Sequence, residues 1–284
     1  MMKTYHKYLG EDQNTYVKCL VNDHKAPNVI FFMTPIGSVD QDIAVRNYRP
    51  LAEKGFNVFA VDLPGIGNSS KGKFTYENIK SAIRSVGEYI GENFSRIIHL
   101  YGGTGTGGII GQALASDKDL GIFKTYSQLG VANHGDLSVI GNGFMLKSVF
   151  PILKIGVKFF PRYRLKFKVP KYSGYNGEKE NDWYKSMMEE NPGIFDLPLD
   201  VVYTLLWLFL GKSSPIKGKP IIPTLVMATE HDRYYKKEYI NKYYRSLTKD
   251  KKLYWIDDSH CVFVWNAGQL VSQVTEWITS QKED

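Results

Sequence analysis

The stretch Ile97-Ile98-His99-Leu100-Tyr101-Gly102-Gly103-Thr104-Gly105-Thr106-Gly107-Gly108-Ile109-Ile110 carries an apolar strand through a cluster of glycines into the start of a helix. Two motifs with known physics can be laid on it. Gly103, Gly105 and Gly108 satisfy G-x-G-x-x-G, in which glycines let a pyrophosphate approach a helix N-terminus. That motif calls for an acidic residue about 20 positions on, at the end of the next strand; the next strand candidate, ending near Leu129, supplies none. The other motif is the elbow G-x-S-x-G, a strained turn at positive φ whose neighbours must be small because strand and helix nearly touch. Gly103-Thr104-Gly105-Thr106-Gly107 fits it with Gly105 at the apex, where a nucleophile would stand. Glycine adopts positive φ without strain, so the turn itself is expected to form.

Around this run, strand candidates at Tyr16 to Leu20, Val29 to Met33, Val58 to Asp62, Ile97 to Tyr101 and Thr125 to Gly130 alternate with helix-length amphipathic stretches. This is the pattern of a mostly parallel sheet with helices on both faces. Ile79, Ala82, Ile83, Val86 and Ile90 recur at helical spacing and mark the core face of one helix. The alternation resumes with a strand at Thr224 to Ala228, a helix near Lys236 to Leu247, a strand at Leu253 to Ile256 and a final helix ending near Ser280. The expected organisation is therefore one α/β core, residues 1–130 and 220–284, with residues 131–219 inserted as a lid.

The 284 residues are 43% hydrophobic and 23% charged, which excludes disordered, collagen-like and coiled-coil classes, and the net charge is +7. Cys19 and Cys261 form no CxxC pair, so neither a disulfide framework nor a zinc ribbon is expected. The N-terminus lacks an apolar h-region, and the longest apolar run, Val201 to Leu210, falls short of the roughly 20 residues a bilayer needs. These features together read as a soluble, cytoplasmic protein. The positive charge is concentrated in the insertion, where Lys147, Lys154, Lys158, Arg162, Arg164, Lys166, Lys168, Lys171, Lys179 and Lys185 face only Glu178, Glu180 and Asp182. Phe150, Ile152, Leu153, Ile155, Val157, Phe159 and Phe160 are interleaved with them. A solvated face on a packed lid fits this composition, and so does a surface in weak contact with an anionic membrane. Nucleic-acid binding is not expected, for no zinc-finger spacing, RNP motif or repeat accompanies the charge.

Four further segments, in order, give the glycine run its context. Phe31-Phe32-Met33-Thr34-Pro35-Ile36-Gly37-Ser38 ends a strand; Asp62-Leu63-Pro64-Gly65-Ile66-Gly67-Asn68-Ser69 ends another in a D-x-P-G-x-G-x-S turn. Ala228-Thr229-Glu230-His231-Asp232 and Ile256-Asp257-Asp258-Ser259-His260 follow the last two strand candidates. With these pieces in this order, the chain resembles the α/β-hydrolase superfamily over nearly its whole length outside the insertion. The run also resembles the phosphate loop of tubulin-like GTPases, but nothing else in the chain fits that family.

The resemblance implies a catalytic constellation of Gly105 at the nucleophile position, Asp232 as acid and His260 as base. Glu230 and Asp258 are the next acids to consider. Oxyanion donors would be the backbone amides of Thr106 and Ile36. The loop histidine and glycine usual in the family are replaced here by Thr34 and Pro35. Thr34, Thr104 and His134 are expected at the substrate, no metal or cofactor is implied, and Cys261 reads as a small core residue. The implied activity is that of an esterase, thioesterase or lipase-like acyl hydrolase, and the aromatic insertion, including Trp183 and Trp207, points to an apolar acyl or aromatic substrate. Without a hydroxyl at Gly105 no acyl-enzyme can form. Either a natural serine has been replaced there, or glycine is natural. In the second case His260 serves a cofactor-free lyase or cyclase as general base, or the fold only binds a ligand.

Overall fold

The computed structural model describes residues 2–33, 37–103, 105–166 and 171–281. The first half runs β1 (Lys3–Leu9), β2 (Thr15–Val21), β3 (Asn28–Phe32), α1 (Asp42–Glu53), β4 (Asn57–Val61), α2 (Tyr76–Asn93), β5 (Ile98–Gly102), α3 (Gly105–Ser116) and β6 (Thr125–Leu129). Then come α4 (Gly143–Phe159), β7 (Arg164–Leu165), α5 (Gly177–Glu190), β8 (Leu197–Pro198) and α6 (Leu199–Leu210). The chain closes with β9 (Thr224–Thr229), α7 (Lys237–Ser246), β10 (Lys251–Ile256), α8 (Val262–Trp265) and α9 (Ala267–Ser280).

Among the described residues, eight strands form one sheet in the order β1-β2-β4-β3-β5-β6-β9-β10. The β1–β2 and β2–β4 pairs are antiparallel and every other neighbouring pair is parallel. β3, β4, β5, β6 and β9 are buried along their whole length, as strands covered on both faces must be. Their side chains split with period two. Ile30, Phe32, Phe59, Val61 and Leu100 pack with α2, α3 and α7, whereas Val29, Phe31, Val58, Ala60 and Tyr101 pack with α1, α8 and α9. The α2 stripe lies in the first of these cores, and Thr75 caps that helix by accepting from the Asn78 amide at 3.2 Å.

The strands of the main sheet lie where the alternation places them, with the addition of β1, and the two-residue strands β7 and β8 pair apart from that sheet. β1 pairs along the antiparallel edge although its residues are mostly exposed, so it has little apolar alternation to signal it. Between β6 and β9 the apolar helices α4 and α6 have opposite surroundings. α6, the longest apolar run of the sequence, sits in the core through Val201, Leu206, Leu208 and Phe209. α4 contains no buried residue. Among the described residues, no helix is long and apolar enough to cross a membrane.

Candidate active site

Parallel strands end on the same edge of a sheet, so the loops after β3, β5, β6, β9 and β10 converge there. The turn from β5 into α3 shows why the glycine run is needed. A Cβ on Gly102 would meet the Gly107 carbonyl oxygen at 2.7 Å, one on Gly103 the Phe31 ring at 2.7 Å, and one on Gly108 the Leu129 carbonyl oxygen at 2.5 Å. These positions are glycine because strand and helix touch. Gly105 differs: its φ is +31°, and a Cβ built there would meet nothing within 4 Å. The apex of the elbow thus has room for a side chain that the sequence does not supply.

Beside that space stand two titratable side chains. Asp232, in the loop after β9, and His260, after β10, meet through Asp232 Oδ2 and His260 Nδ1 at 2.9 Å. A carboxylate can only accept, so Nδ1 carries the proton and Nε2 is left with the lone pair of the neutral ring. The other Asp232 oxygen accepts from the amides of Tyr234, at 2.7 Å, and Tyr235, at 3.0 Å. Thr229 Oγ1 adds a hydrogen bond at 3.2 Å. Burial pushes the Asp232 carboxyl up, but the His260 ring and these donors outweigh it and the net shift is down. Burial pushes His260 down, but the Asp232 carboxylate outweighs it and the ring is raised above its usual range. The Tyr234 and Tyr235 rings flank the imidazole, with centroids 4.6 and 6.1 Å from its own.

A third residue tied to this pair carries no local mark in the sequence. Glu180, in the first turn of α5, is fully buried; one carboxylate oxygen accepts from Arg233 and the other from the Cys261 amide at 3.2 Å. Arg233 and Cys261 are the chain neighbours of Asp232 and His260, so one carboxylate fastens both loops. In sequence Glu180 is merely one of few acids in a basic stretch, and only the fold brings it to the site.

A cavity of about 290 Å³ opens at Gly105, Thr106 and His260. The core contributes Met33, Ile43 and Phe263 to its walls, and the segment between β6 and β9 contributes Val139, Ile140, Trp183, Tyr184, Met187 and Phe195. Thr106 stands in the first turn of α3, where backbone amides point out of the helix N-terminus. Thr34, Ile36 and Thr104 lie outside the described residues. His134 is placed away from the cavity: its Nε2 lies 3.0 Å from the Gly211 carbonyl, so the ring engages the backbone at the end of α6 instead of a substrate.

The other acids serve the frame. Asp258 accepts from Trp265 Nε1 at 3.0 Å and from Asn176, and Glu230 pairs with Lys237 at the surface. His231 stacks on Tyr175 and pairs with Asp257. Burial pushes the Cys261 thiol up, away from the thiolate form. Asp62 accounts for the turn after β4. Its carboxylate accepts from Ser38 Oγ at 2.7 Å and from the amides of Val39, at 2.7 Å, and Asn68, at 2.8 Å, tying that turn to the loop after β3.

The chain matches no protein-family model and no curated protein. Solved structures do match over essentially its full length. One is described as the alpha/beta hydrolase GrgF from Penicillium, 13% identical, with TM-score 0.72 and 99% of each chain covered. Another is the enol-lactonase of Burkholderia xenovorans, 13% identical, with TM-score 0.63 and 97% of this chain and 100% of that one covered. A third is Est1E of Butyrivibrio proteoclasticus with ferulic acid bound, 18% identical, with TM-score 0.59 and 95% of this chain and 96% of that one covered. With its strand order and these full-length likenesses, the chain has the α/β-hydrolase fold.

Proposed function

We propose that the chain hydrolyses an ester, thioester or lactone bond in an apolar acyl or aromatic substrate, with His260 activating water directly. The observation that carries this reading is the Asp232–His260 pair, at 2.9 Å, beside the unfilled space at Gly105 on the floor of an apolar cavity. Water can stand where a serine hydroxyl would. It adds its oxygen to the acyl carbon while His260 Nε2 takes its proton, and Asp232 stabilises the imidazolium. The tetrahedral oxyanion is received at the α3 N-terminus, with the Thr106 amide as the proposed donor. Collapse then breaks the bond to the leaving group, which takes the proton back from His260. No covalent intermediate forms, and no metal or redox cofactor enters these steps.

The cavity favours apolar substrates because its walls are aliphatic, aromatic and thioether side chains around few polar groups. Six of the fourteen lining residues come from the segment between β6 and β9, which we read as a cap over the site. The test is hydrolysis of a panel of acyl and aryl esters and thioesters by the chain and by His260→Ala. The expected result is turnover without a burst, falling on the order of 10²–10⁴-fold in the variant. Saturable binding without His260-dependent turnover would instead favour a ligand-binding role, and proton abstraction from a substrate carbon without hydrolysis would favour lyase chemistry.

A further inference from the structure

We propose that α4 is a docking surface for an anionic lipid bilayer. Of its side chains, Leu146, Phe150 and Leu153 face inward and pack against the core. The opposite face carries Phe144, Ile152, Ile155 and Phe159, 8, 3 and 4 positions apart along one helical stripe and 64 to 84% exposed. Met145 and Val149 widen this stripe, and Phe160 and Tyr163 extend it beyond the helix end. A helix that leaves so many large apolar side chains in water is missing a neighbour.

Charge identifies that neighbour. Lys147, Lys154 and Lys158 form a single row along one edge of the apolar stripe, all exposed, and among the described residues none pairs with a carboxylate. From Leu137 to Gly177 the sequence contains eight basic residues and no acidic one. Apolar side chains facing outward with a lysine row beside them suit a helix lying in the plane of a membrane. The stripe enters the acyl boundary while the ammonium groups stay at the level of anionic headgroups. A folded protein partner with an acidic groove would match the lysines but not an outward-facing stripe running the length of the helix. Ile140, which lines the cavity and is partly exposed, lies three residues before α4 begins. Docking would therefore bring the cavity rim close to the lipid surface. The proposal does not depend on the hydrolytic reading.

The test is co-sedimentation of the full chain with phosphatidylcholine vesicles, with and without phosphatidylserine. We expect binding to the mixed vesicles, weak binding to pure phosphatidylcholine, and release near 1 M salt, where the screening length falls to about 3 Å. Lys147→Gln, Lys154→Gln and Lys158→Gln should each weaken binding about fivefold. Ile152→Ser with Phe159→Ser should abolish it, and circular dichroism should show the fold of every variant intact because these side chains are exposed. The His260→Ala variant should bind as the unaltered chain does, which separates this test from that of catalysis. Lack of binding at low salt, or binding that neither set of variants changes, would overturn the proposal. So would sedimentation velocity showing a dimer that Ile152→Ser dissolves, for the stripe would then be covered by a second copy.

Discussion

Glu180 and Arg233 form an ion pair that joins α5 to the loop carrying Asp232, and the second Glu180 oxygen holds the backbone of the loop carrying His260. Breaking a buried pair by removing one partner costs about 3–5 kcal/mol. Glu180→Ala should therefore lower the melting temperature markedly. The milder Glu180→Gln keeps an acceptor for the Cys261 amide but removes a negative charge that helps raise the His260 pKa. The acid limb of its pH–rate profile should move to lower pH. A profile that falls uniformly without moving would show Glu180 to be structural only.

Asp232 sets the pH dependence of the site. Because its carboxylate raises His260 above the ordinary value of 6.5, the ring stays protonated, and inactive as a base, to higher pH than a free histidine would. Asp232→Asn removes that pull and leaves burial, which lowers His260. The acid limb should shift down while the plateau rate falls on the order of 10²–10⁴-fold.

The same pair makes a signed contribution to stability. The raised histidine stabilises the fold fully below pH 6.5, and this contribution is lost as pH rises through its folded value. The lowered carboxylate stabilises it above 3.8, and this is lost as pH falls through its folded value. The melting temperatures of the chain and of Asp232→Asn should thus differ most between these two pH values and draw together above the folded pKa of His260. A gap that widens in alkali would contradict the assignment.

The glycines of the elbow should respond unequally. Gly105→Ser places its side chain in open space and should cost no more than about 1–3 kcal/mol for its positive φ. Gly108→Ser drives a Cβ into the carbonyls of Leu129 and Gly130 and should prevent the soluble fold from accumulating. Thermal melts of both variants check this, and equal destabilisation would contradict the described turn.

Asp62→Ala tests the other turn. It removes the acceptor of Ser38, Val39 and Asn68; of these donors the Val39 amide is buried, and leaving it unpaired costs about 1–3 kcal/mol. Stability should fall, and activity with it, because the loop after β3 loses its anchor. Retained activity at a temperature where the variant is folded would separate that loop from the site.

The parallel strands, the α2 stripe and the Asp232–His260 pair were legible because each leaves a local mark: continuous apolar runs, a 3.6-residue period, or a polar cluster just after a strand. β1 left none, since an exposed edge strand needs no apolar face. Glu180 was hidden because its partners are 53 and 81 positions away, a pairing that only tertiary structure creates. His134 was misplaced for the opposite reason. Its position after β6 suggested the cavity, but the nearby Gly211 carbonyl at the end of α6 takes its Nε2.

The most direct measurement is intact-mass spectrometry of Gly105→Ser, of Gly105→Ser with His260→Ala, and of the unaltered chain, each after exposure to a fluorophosphonate. The account predicts one covalent adduct on Gly105→Ser alone, since a serine hydroxyl at the apex would stand beside an active base, while the unaltered chain gains no mass. A folded Gly105→Ser that remains unlabelled, or a label on the unaltered chain, would contradict it.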